Sequence, residues 1–145
     1  MSNTTFSGPV TSTNGFIGSL VGAVTISHTT QAAVNSTGTA TAAQVATGYI
    51  TSTSAAATTI TLPTGTLLGA ELGATQGYVF ELSVDNTAGA STVTIAVAVN
   101  GIKSSAAVTT AGSFGDVSVV AGPTGLARFT LMFSSATAYV FTRTA

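Results

Sequence analysis

Cysteine and tryptophan are absent from this chain of 145 residues, and only 5% of its residues are charged. Without cysteine there is neither a disulfide framework nor a thiolate metal site, so stability has to come from packing and assembly. Ordinary globular proteins are about one quarter charged; here threonine and serine hydroxyls must supply solubility instead. A formal net charge of -1 gives no long-range field to attract nucleic acid or anionic lipid. Lys103, Arg128 and Arg143 are too scattered to form a basic patch, so no nucleic-acid partner is expected. Long hydrophobic runs are missing as well. FIGSLVGAV, from Phe16 to Val24, falls well short of the ~20 residues of a membrane helix, and no membrane partner is expected. The opening MSNTTFSGPV has neither a basic n-region nor an uninterrupted apolar h-region, which leads us to expect synthesis in a cytoplasm. Near-zero charge also removes the repulsion that keeps monomers apart, so a chain of this kind needs a defined assembly to enter.

The informative stretch is Tyr78 to Val99, YVFELSVDNTAGASTVTIAVAV. Apolar residues recur at every second position in both of its arms, which is the period of a strand. NTAGAS between the arms is a run of turn formers, so the stretch predicts a hairpin in which Val84 faces Val93, Leu82 faces Ile95, Phe80 faces Val97 and Tyr78 faces Val99. VATGYITS and TTITLP read as earlier strands, the second ended by Pro63, which has no N–H for a ladder. TGTLLGAELGATQG reads as a crossover with one short helix after Thr64. Asn100-Gly101 is a turn signal, from which Ile102 to Thr109 returns as a weak strand, and GPTG at 122–125 is a further turn after DVSVVA. In the last hairpin, a loop at Ser134, Ser135 and Ala136 places Phe129 opposite Phe141 and Leu131 opposite Tyr139.

These segments amount to about seven or eight short strands, the pattern of an all-β fold, an antiparallel β-sandwich or jelly roll. The regular alternation defines a β-sandwich domain at 45–145. Residues 1–44 carry no charge and hold short apolar clusters in Thr, Ser, Asn and Gly, which reads as a partly extended N-terminal arm. The competing reading makes Val21 to Ser27 the first strand of the main domain. Ala96 and Ala98, together with Met132 and Val140, leave parts of the strands apolar on two sides and point to a subunit interface.

Chemistry needs convergent groups, and the sequence supplies few. His28 is the only histidine and sits in SHTTQ, where a surface residue is the simple reading. Glu81 and Asp85, at i and i+4 on one strand, would lie about 13 Å apart, too far for a glycosidase pair, and read as a solvated strand face. The sequons at Asn3 and Asn35 follow from abundant Asn, Ser and Thr. The glycines at 65, 69, 73 and 77 lack a P-loop lysine or a dinucleotide pattern. No enzymatic activity and no cofactor are expected.

The opening TTFSGPVTSTNGFIG, followed by ITLPTGTLLGAELGATQGYVFELSVDNTAGASTVTIAV, resembles capsid decoration (cement) proteins of tailed bacteriophages. That resemblance implies a β-rich subunit, often a trimer, that sits on the outer capsid surface and clamps neighbouring copies of the major capsid protein, often through an extended arm. The arm residues that would make such contacts are Phe6, Pro9, Val10, Phe16 and Ile17, the apolar anchors of the uncharged segment. Two other roles fit the sequence: a head-fibre or tail-fibre subunit binding a host-surface glycan, and a bacterial surface or adhesin module. The first wants exposed aromatics, whereas most Phe and Tyr here fall on strand cores. The second wants a secretory signal.

Overall fold

The computed structural model describes residues 30–104 and 117–144. Strands dominate them: β1 (Ala32–Ala33), β2 (Gly38–Thr39), β3 (Tyr49–Thr51), β4 (Thr58–Leu62), β5 (Val79–Asp85), β6 (Val93–Val97), β7 (Gly101–Ser104), β8 (Val117–Val119), β9 (Leu126–Ser135) and β10 (Ala138–Arg143). Two short helices, α1 (Ala42–Ala46) and α2 (Gly65–Leu72), complete the described elements. One sheet has the order β1-β3-β5-β9-β10-β7 and the other β2-β4-β6-β8.

The chain alternates between the two sheets from β1 through β9, and only β9 and β10 are consecutive strands of one sheet. A chain that leaves a sheet and comes back after one strand in the other sheet can lay down parallel neighbours. Hence β1, β3 and β5 run parallel to one another, as do β2, β4 and β6. β7 is parallel to β10. Antiparallel pairing is confined to β5 with β9, β9 with β10 and β6 with β8. The sheets are therefore mixed, unlike the antiparallel sheets that the turn signals led us to expect.

The central hairpin is the main correction. β5 pairs with β3 and β9, while β6 pairs with β4 and β8, so the two arms of Tyr78–Val99 lie in different sheets. Of the residues expected to face inward, Leu82, Val84, Val93 and Ile95 are fully buried and Phe80 and Val97 partly so, whereas Tyr78 and Val99, at the outer ends of the arms, are 37% and 71% exposed. Asn86 explains the change of sheet. Its side-chain nitrogen donates to the carbonyls of Ser91 at 2.9 Å and Val119 at 3.0 Å, and its backbone N–H donates to Gly125 O at 2.7 Å. These bonds tie the end of β5 to the start of β6, to β8 and to the turn before β9, which a two-strand hairpin would not do. Asn100 likewise has a positive φ of 63°, as its turn signal implied, but leads from β6 into β7 of the other sheet.

The terminal hairpin forms with its aromatics inward and its register moved by two residues. Phe129 stands opposite Arg143, Leu131 opposite Phe141 and Phe133 opposite Tyr139, around a turn at Ala136 and Thr137. An even shift keeps every side chain on its expected face. The longer pairing adds Phe133 to the buried set, and Phe129 still stacks on Phe141 as a diagonal neighbour, with centroids 4.9 Å apart.

The buried faces of both sheets belong to one apolar cluster, with Ile60, Leu62, Val93, Ile95 and Val119 from the smaller sheet and Ile50, Leu82, Phe129, Leu131, Phe133, Tyr139 and Phe141 from the larger. Burying side chains of this size contributes about 1.5–3 kcal/mol each. Leu68 of α2 and Val45 of α1 join the same cluster.

α2 starts where Thr64 Oγ1 accepts from Leu67 N at 3.3 Å and ends at Gly73, whose φ of 59° is the left-handed C-cap conformation. It is the short helix expected after Thr64. α1 was not expected, although Thr41-Ala-Ala-Gln44 is a capping box: Gln44 N donates to Thr41 Oγ1 and Thr41 N to Gln44 Oε1 at 2.8 Å.

Residues 30–44, assigned from sequence to the arm, contribute β1, β2 and the start of α1, with Ala32 and Ala40 buried in the core. Residues 1–29, including Val21 to Ser27, lie outside the described residues.

Candidate interaction surface

On the outer face of the larger sheet, register sets Val79 beside Met132 and Met132 beside Val140. These three residues form an apolar row across β5, β9 and β10 because alternation turns the odd positions of β5 and the even positions of β9 and β10 away from the core. Val79 is 51% and Met132 53% exposed, and Val140 is half-buried. Tyr78, just before β5 and 37% exposed, turns to the other side of the sheet, its ring edge-on to buried Phe133 with centroids 6.0 Å apart. The apolar second face inferred from Met132 and Val140 thus has a defined place, and Val79 extends it. Ala96 is half-buried on the other sheet.

Beyond this row the same face carries polar side chains together with Leu126, which is 59% exposed. Glu81 pairs in register with Thr130, Ser83 with Arg128 and Asp85 with Leu126. Glu81 and Arg128 are exposed, and neither has an ion-pair partner among the described residues.

Asp85 differs from the solvated carboxylate that the sequence led us to expect. Its Oδ1 accepts from the Thr87 hydroxyl at 2.6 Å and the Thr87 backbone at 2.9 Å, while Oδ2 accepts from the Tyr49 hydroxyl at 2.6 Å. The bonds from Thr87 and then Tyr49 hold its carboxyl below the usual carboxylate range. The same Asp85 bond, with a smaller effect of burial, raises the Tyr49 hydroxyl above its ordinary value. An ionised carboxylate held by three donors is well suited to fastening β3 to the end of β5. Sequence reasoning missed the pair because Tyr49 and Asp85 lie on strands made neighbours only by the parallel pairing of β3 with β5.

At one end of the fold, α2 lies against the β9–β10 turn. The N–H of Gly65 donates to Val99 O at 3.1 Å, and a Cβ on Gly69 would overlap Ala136 O. Exposed Leu67 and Val99 add apolar surface at this end.

Phe6, Pro9, Val10, Phe16, Ile17 and His28 lie outside the described residues. Among the described residues there is no cluster of three or more His, Cys, Asp and Glu that could hold a metal ion, and no helix long and apolar enough to cross a membrane. No protein-family model, no curated protein and no solved structure matches the chain.

Proposed function

We propose that this chain is a structural virion protein, a capsid decoration (cement) protein that binds the outside of a bacteriophage head and stabilises the coat lattice. The observation that carries the reading is the resemblance of TTFSGPVTSTNGFIG and of the segment from Ile60 to Val97 to such proteins. A β-rich module with one apolar core and an apolar row left on its outer face is compatible with it. In this reading the two sheets are the layers of a β-sandwich, the partners are the major capsid protein and further copies of the chain in a trimer, and no catalytic step is involved. The chain is made in the host cytoplasm and ends on the outer capsid surface.

Holding such a partner with 5% charged residues requires apolar burial and backbone hydrogen bonds in place of many ion pairs. Phe6, Pro9, Val10, Phe16 and Ile17 are the proposed coat contacts.

Quantitative mass spectrometry of purified virions tests the role. A cement protein is present at hundreds of copies per head, whereas a fibre subunit is present at few. Low copy number, or absence from virions, overturns the reading.

A further inference from the structure

We propose that the outer face of the larger sheet, centred on Val79, Met132 and Val140, is the surface through which copies of this chain associate, with Glu81 of each subunit set against Arg128 of the next. The inference does not rest on the virion role, and its test needs no capsid.

Three observations lead there. The row crosses three adjacent strands in register, so its apolar atoms form one continuous patch. Interfaces characteristically have an apolar centre and a polar rim, and here Glu81 and Arg128 stand in the next rows of the same face. These two opposite charges sit on neighbouring strands without an ion-pair partner among the described residues.

The charges identify the occupant. Glu81 is on β5 and Arg128 on β9, on either side of the line between the strands. A second copy turned about an axis along that line places Val79 over Met132 of the partner subunit. The same rotation brings Arg128 above the strand that carries Glu81 of the partner subunit. A copy of this chain thus supplies both the matching apolar row and the opposite charge for each rim residue, as closed symmetric assemblies require. A net charge of -1 offers little opposition to such self-association.

The experiment is light scattering after size exclusion across a concentration series, on the full chain. The wild type should run as a closed oligomer. Met132→Glu places a carboxylate in the centre of the contact and should weaken association by at least about tenfold, the effect of desolvating one unpaired charge. Val120→Glu, at an apolar residue that is 50% exposed elsewhere on the surface, should leave association unchanged. Glu81→Arg and Arg128→Glu should each weaken association, and the double swap should recover much of it. Circular dichroism melts check that each variant folds. A wild type that stays monomeric, a Met132→Glu chain that associates like the wild type, or a double swap no better than either single variant overturns the proposal.

Discussion

The hydroxyl of Tyr139 in β10 donates to the carbonyl of Pro63, just past the end of β4, across 3.0 Å of the buried interior. The bond joins the larger sheet to the smaller one. It also satisfies a hydroxyl that burial holds in its protonated form, its pKa pushed well above the ordinary tyrosine value. Tyr139→Phe keeps the ring and leaves the Pro63 carbonyl without this donor. The expected loss is about 1–3 kcal/mol in urea unfolding, the cost of one unsatisfied buried acceptor. Unchanged stability would mean that another donor reaches Pro63.

Asn86 should be one of the most sensitive polar positions among the described residues. Replacement by alanine removes the donors to the Ser91 and Val119 carbonyls, and we expect a loss of about 2 kcal/mol or more. Asn86→Asp should be worse at neutral pH, because it places a charge at a fully buried site facing two carbonyl oxygens. Thermal melts of both variants would decide the order, and an aspartate form as stable as the alanine form would show that water reaches the site.

Gly69→Ala tests close approach against helix propensity. In an isolated helix interior the change is favourable by about 1 kcal/mol. Here the added methyl would overlap the carbonyl oxygen of Ala136 in the β9–β10 turn, so destabilisation is expected instead. A higher melting temperature for the alanine variant would show that α2 can move away from the turn.

The Asp85 carboxyl has a folded-state pKa below its unfolded value, so the folded state favours its ionised form. Its contribution is fully present above the unfolded value of about 3.9 and is lost as pH falls through the lower folded value. Asp85→Asn should lower the melting temperature at neutral pH, with the difference from wild type shrinking below about pH 4. Melting curves from pH 2 to 7 would measure this. A constant difference across that range would mean that the bonds from Thr87 and Tyr49 act without regard to charge.

The sequence by itself determined faces, stops and caps, because these depend on near neighbours. Period-two alternation assigned Leu82, Val84, Val93, Ile95, Phe129, Leu131, Tyr139 and Phe141 to the interior, where all are buried, but it also turned Tyr78 and Val99 inward, and these are exposed at the ends of their strands. Pro63 marked the end of β4, and Thr64 the start of α2. The same local logic, read further, gives α1 from the Thr41 and Gln44 capping box.

Tertiary structure alone decided which strands are neighbours. Alternation says which way a side chain points and nothing about the ladder its backbone joins, and a turn sequence reverses the chain equally well within one sheet or between two. Asn86, bonded to β8 and to the turn before β9, resolves that ambiguity for Tyr78–Val99 through contacts far away in sequence. The Tyr49–Asp85 bond and the row of Val79, Met132 and Val140 depend on the same choice. Each joins residues from strands that only the assembled sheet sets side by side.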